Sequence, residues 1–146
     1  MTSFTLSETY PHSKEKIFAA FARADTLAQW IAPMDDMPTT VEKLDFTPEG
    51  QFRIAFGVGN DVFHLNGQFL VIEAHDRLSF TWVWQAPAPH ANVESHVTVT
   101  LKAVGSKTEM TLIHSRLNAV GMVDRHRSGW LGSFARLNKT LQENKL

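Results

Sequence analysis

The chain of 146 residues contains no cysteine. That excludes disulfides, thiolate metal sites and cysteine nucleophiles, and it accords with a reducing cytoplasm, the expected compartment. No run of about 18 consecutive apolar residues occurs, and the segment from Met1 to Glu8 lacks a basic stretch followed by an apolar one, so neither a membrane-spanning helix nor a secretory leader is expected. An excess of charge is missing too: 14 Lys and Arg stand against 15 Asp and Glu, for a formal charge of −1, with the basic residues scattered. Nucleic acid and other polyanions are therefore not expected as partners.

Several catalytic signatures are absent as well. No Gly-x-Ser-x-Gly elbow is present for a serine hydrolase. Gly57-Val58-Gly59 lies between two strand patterns, outside the strand-to-helix context of a dinucleotide fingerprint. His126 has no second histidine three or four residues away to complete a helical ligand pair, and His64 and His96 fall on the solvent parity of their strands, so no metal and no cofactor are expected.

What is present is strong periodicity. Phe4, Leu6 and Tyr10 share a parity and predict an opening strand that Pro11 ends. Ser13 caps a helix of roughly ten residues carrying Ile17, Phe18 and Phe21. Asp25 is the expected cap of a second short helix with Leu27, Trp30 and Ile31, stopped at Pro33, and Met34–Pro38 reads as a loop. From Thr39 the period changes to alternation. Val41–Phe46 and Phe52, Ile54 and Phe56 form a hairpin about Pro48-Glu49-Gly50; Phe63, Leu65, Gly67, Phe69 and Val71 hold one face of a long strand in which Gly67 marks a bulge or bend. Leu78, Phe80, Trp82 and Trp84 make a strongly aromatic strand face. After the proline-rich loop from Ala86 to Ala91, Val93, Val97, Val99 and Leu101, and then Met110, Leu112 and His114, predict two more strands. From about Ala119, Val123, Trp130, Phe134, Leu137 and Leu141 recur at helical steps despite Gly121, Gly129 and Gly132, each of which weakens a helix by up to about 1 kcal/mol relative to alanine.

The order is thus strand, two short helices, a meander of strands and a long closing helix, within one expected domain, 1–146. Short turns make the strands antiparallel neighbours, and the terminal helix is the available cover for the apolar face of six to seven strands.

These residues resemble a family. Lys16-Ile17-Phe18-Ala19-Ala20-Phe21 leading to Leu27-Ala28-Gln29-Trp30, then Pro48-Glu49-Gly50-Gln51-Phe52-Arg53, look like bacterial homologues of the activator of the heat-shock protein 90 ATPase. So do Gly67–Glu73, Asp76–Trp82, Val97–Leu101, Thr108–Ser115 and Gly129-Trp130, in the same order over nearly the whole chain. Glu49 departs from the pattern, since the family usually has a glycine there. The resemblance implies an α+β helix-grip fold of the START-like (SRPBCC, Bet v 1-like) superfamily, with the long C-terminal helix packed over the concave face of a curved antiparallel sheet. It also implies a cavity between sheet and helix; solid packing is the plain alternative.

The residues expected to line such a cavity are Trp30, Phe52, Ile54, Phe56, Phe63, Leu65, Phe69, Phe80, Trp82, Trp84, Val97, Val99, Met110, Leu112, His114, Trp130 and Phe134. The expected function is binding of a small apolar or amphipathic molecule. An enzyme of the polyketide cyclase type would use His114, the inward-pointing imidazole, as acid or base, the alternative being a structural histidine. Glu42, Asp45, Arg53, Glu73 and Arg77 are read mostly as surface charges, with Glu73 and Arg77 pairing across a turn. A third reading, a cochaperone module, is the least favoured, because the chain resembles only the C-terminal domain of the eukaryotic activator. Homodimerisation through an exposed sheet or helix face is compatible with the sequence, which does not specify it.

Overall fold

The computed structural model describes residues 2–32, 36–57 and 59–143. Its elements are β1 (Phe4–Tyr10), α1 (Lys14–Ala22), α2 (Ala24–Trp30), β2 (Thr39–Leu44), β3 (Gln51–Phe56), β4 (Phe63–Glu73), β5 (Arg77–Trp84), β6 (Ser95–Val104), β7 (Lys107–Ser115) and α3 (Met122–Glu143). The strands form one seven-stranded antiparallel sheet in the order β1-β7-β6-β5-β4-β3-β2. This is the helix-grip architecture. Among the described residues no helix is long and apolar enough to cross a membrane.

Side chains alternate across a strand, so matched registers collect one parity from every strand on one face. Phe4 lies opposite His114, His114 opposite Val97, Val97 opposite Phe80, and Phe80 opposite Phe69. A parallel row runs Leu6, Leu112, Val99, Leu78. All of these are buried under α3, whose own buried stripe includes Met122, His126, Trp130, Phe134, Leu137 and Leu141. The Tyr10 hydroxyl donates to the Phe134 carbonyl at 3.2 Å, tying the first strand to the last helix.

The local departures from expectation have physical causes. Ser13 does cap α1, its hydroxyl accepting from the Lys16 amide at 3.2 Å. Asp25 is not the cap of α2: Arg23 holds that position in extended backbone without a side-chain bond, while Asp25 sits in the first turn and accepts from the Thr26 amide at 2.8 Å. An acidic side chain is stabilised anywhere in that turn by the helix dipole, which is why the sequence alone misplaces the boundary by two residues. Helix α2 ends at Trp30; Pro33, Met34 and Asp35 lie outside the described residues.

The bulge in β4 falls between Phe69 and Val71, not at Gly67. Gly67 has a different reason: a β-carbon there would run into the Phe52 ring and the Thr81 carbonyl, so glycine lets the aromatic ring of the neighbouring strand lie against the backbone. Val93 precedes β6, and Gly121 precedes α3 with a φ of 77°, a left-handed entry that glycine adopts without strain.

Candidate functional site

At one end of the sheet the interior is filled by phenylalanine. Phe69 packs against Phe46 and Phe52 with ring centroids 5.0 and 5.4 Å apart, and Phe52 against Phe80 at 5.6 Å. At the other end it is not filled. A cavity of about 140 Å³ remains, lined from the sheet by Phe56, Phe63, Trp82 and Trp84, from α3 by Arg125, His126, Gly129, Trp130 and Ser133, from the segment after α2 by Ile31, Ala32 and Met37, and from the β5–β6 loop by Ala88 and Pro89. Arg125 and Pro89 are exposed, whereas Phe56, Trp82, His126 and Trp130 are buried, so the cavity has a mouth at the former and a floor at the latter. A void of this size in an apolar setting is enough for about one benzene ring.

Each wall is held in place by identifiable bonds. Trp30 Nε1 donates to the Ala20 carbonyl at 3.1 Å and its ring meets Phe21 edge-on at 4.9 Å, fixing α2 on α1. The Ser133 hydroxyl donates to the Ala32 carbonyl at 2.9 Å and accepts from the Ala32 amide at 3.3 Å; the Arg136 guanidinium bonds the carbonyls of Trp30 and Ala32. These bonds seat Ile31 and Ala32 against α3. The β5–β6 loop returns on itself through the Asn92 amide to the Trp84 carbonyl at 2.9 Å and the Ala88 amide to the Gln85 carbonyl at 3.0 Å, which presents Ala88 and Pro89 to the mouth.

Two histidines sit beneath and beside the floor, and their tautomers follow from their partners. An indole N–H can only donate, so Trp130 Nε1, 3.1 Å from His114 Nδ1, makes that nitrogen an acceptor. The proton of the neutral ring is then on Nε2, which donates to the Ser95 hydroxyl at 2.8 Å, and Ser95 donates to the Trp82 carbonyl at 2.9 Å. By the same logic Trp84 Nε1 donates to His126 Nε2 at 2.9 Å, and His126 Nδ1 donates to the Met122 carbonyl at 2.8 Å. Both rings are held neutral. Burial, reinforced by the neighbouring His126 and His96, pulls His114 down to about 2; burial, opposed by the Met122 carbonyl and assisted by His90 and Arg125, pulls His126 down to about 4. The ring centroids of His114 and His126 are 5.2 Å apart, but every ring nitrogen of this pair is already bonded to protein.

Of the residues the sequence nominates, Phe56, Phe63, Trp82, Trp84 and Trp130 line the cavity. Trp30, Phe52, Ile54, Leu65, Phe69, Phe80, Val97, Val99, Met110, Leu112, His114 and Phe134 are buried in the core around it and do not face it. Alternation marks the inner face of every strand, whereas the place where the helix stands off is set by how α3 lies across them. His126 was missed although it lies four residues before Trp130, the helical spacing that puts it on the same face. The loop residues carry no periodic signal. The charges nominated on the strands lie outside: Arg53 bonds Glu42 at 2.8 Å, Asn66 at 3.1 Å and Gln85 at 2.7 Å across the convex face, and Arg77 meets Glu73 at 4.0 Å.

The sequence profile of activator of Hsp90 ATPase homologue 1-like proteins matches residues 11–142. The chain belongs to that family. No curated protein matches it in sequence. Among solved structures, protein CV1439 of Chromobacterium violaceum superposes with a TM-score of 0.84 over 99% of this chain and 100% of its own, at 16% identity. Mll3558 of Rhizobium loti superposes at 0.79, with 26% identity over 95% and 96% of the two chains. DynU16, described as a protein in the dynemicin biosynthetic locus, aligns at 0.78 and 22% identity with 98% of this chain but only 48% of its own. The matches to CV1439 and DynU16 establish the shared fold.

Proposed function

We propose that this member of the family binds a small apolar or amphipathic molecule in the cavity between α3 and the β3–β5 end of the sheet. The observation that carries the reading is the contrast between the two ends of the same interior. One is closed by interlocking phenylalanines, while the other leaves about 140 Å³ walled by aromatic and aliphatic side chains whose polar atoms are largely spent on each other. Pockets for small molecules have this composition, mostly apolar with few polar groups.

Acid–base chemistry at His114 is the weaker reading: its two nitrogens are committed to Trp130 and Ser95, and it lies behind Trp82 and Trp130, away from the cavity wall. The ligand reading is tested by native mass spectrometry of undenatured protein and by thermal unfolding against a panel of single-ring and short-chain compounds. A ligand at about 100 times its dissociation constant stabilises by about 2.7 kcal/mol, which for a chain of this size raises Tm by roughly 5–10 °C. No bound mass and no Tm shift across the panel would overturn it.

A further inference from the structure

The charge at the cavity mouth narrows the ligand further, given that the cavity is a binding site at all. Among the described residues its lining contains one charged residue, Arg125, and no carboxylate. Of the other polar lining groups, Ser133 holds Ala32 through both its donor and its acceptor, His126 is neutral with both nitrogens bonded and Trp84 Nε1 donates to His126, while Trp82 Nε1, on the floor, is a buried neutral donor without a partner among the described residues. Arg125 differs. It is exposed, its guanidinium makes no hydrogen bond or ion pair among the described residues, and it stands four and eight residues before Gly129 and Ser133 on the cavity side of α3. Gly129, directly below it, has no side chain to separate the guanidinium from the void.

An arginine beside low-dielectric aromatic walls favours an anion more than one in open water does, and its planar fork matches a carboxylate. We infer that the ligand is a small aromatic monocarboxylate, its ring on the floor formed by Trp82, Trp130 and Phe56 and its carboxylate against Arg125 at the mouth. Size and charge select together: the void takes one ring, and the rim rejects an ammonium at the position where it welcomes a carboxylate.

Three probes that share one body and differ in charge separate this inference from the cavity reading on which it rests: 3-phenylpropionate, 3-phenylpropanol and 3-phenylpropylammonium, titrated by tryptophan fluorescence at low salt. The carboxylate is expected to bind about five- to tenfold more tightly than the ammonium, with the alcohol between, and added salt should compress the spread. Arg125→Gln should bring the three affinities together, and Arg125→Glu should invert the order; Arg125 is exposed, so both variants are expected to fold. Gly129→Leu, which places a side chain in the void, should abolish binding of all three.

Equal affinities in the unaltered protein, or a preference that survives Arg125→Gln, would overturn the anion assignment while leaving the cavity reading intact. Carboxylate binding that persists in Gly129→Leu would overturn it as well, marking a surface ion contact. Absence of binding by all three probes, together with no response across the melting panel, would remove both readings.

Discussion

At the scale of single residues, the four tryptophans differ in what their indole N–H groups find. Trp30, Trp84 and Trp130 each donate to an acceptor, whereas Trp82 Nε1 is buried with no partner among the described residues. Trp130→Phe and Trp82→Phe remove comparable ring area, but only the former leaves a buried acceptor, His114 Nδ1, unpaired. Trp130→Phe should therefore cost about 1–3 kcal/mol more than Trp82→Phe in urea unfolding. Equal losses would show that the Trp130–His114 bond contributes nothing net.

The histidines make a second residue-scale prediction. Unfolded, both take up protons near pH 6.5; folded, His114 does so only near 2 and His126 near 4. Between those limits the unfolded chain binds more protons, so the stability they confer is complete above about pH 6.5 and is lost as pH falls, at up to about 1.4 kcal/mol per unit for each ring. Going from pH 7.5 to 5 should cost about 2–4 kcal/mol, and His126→Asn should make the decline shallower. A stability that does not change over that range would contradict the buried neutral pair. His114 as an inward residue was legible from strand alternation; its bond to Trp130 was not, because contact between a strand and a distant helix depends on how the helix lies.

At the scale of elements, local rules located each strand and helix of the described residues, because burial on one face imposes a period of two or 3.6 that turn residues interrupt. They failed where several residues satisfy the same local requirement, as with Arg23 and Asp25 at the start of α2, or where a constraint comes from a neighbouring strand, as with Phe52 against Gly67. Glu49 shows a departure from the family pattern becoming a backbone fact. It has a φ of 69°, in the left-handed region that costs a side-chain-bearing residue about 1–2 kcal/mol, at the position where the resemblance implies a glycine. Its amide nevertheless donates to the Phe69 carbonyl at 2.8 Å, so the turn is held in that shape. Glu49→Gly should relieve the strain and, after the greater entropy of an unfolded glycine is subtracted, raise stability by up to about 1 kcal/mol. A decrease in the denaturation midpoint would mean that the glutamate side chain stabilises the turn by more than the backbone costs.

For the molecule as a whole, the grip of helix on sheet was legible and the place where it loosens was not. The aromatic inner face predicts a thick interior, yet whether those rings interlock or stand apart depends on where α3 crosses and on Ile31, Ala32, Met37 and the loop 85–92, which carry no period. The cavity exists because Gly129 and Ser133 present little bulk to Trp82 and Phe56 at the end where Ser133 also anchors Ala32. Shape, apolar walls and the Arg125 cation at the rim then follow from different parts of the chain meeting at one end of the fold.

The central claim, that this end of the interior takes up a small molecule, is tested most directly by the indole N–H resonances of the four tryptophans during a titration with 3-phenylpropionate, followed by two-dimensional NMR of nitrogen-15-labelled protein. Trp82, Trp84 and Trp130 line the cavity and Trp30 does not, so the first three signals should shift saturably while the Trp30 signal stays in place. Four unmoved signals, or four that drift together without saturating, would contradict the account.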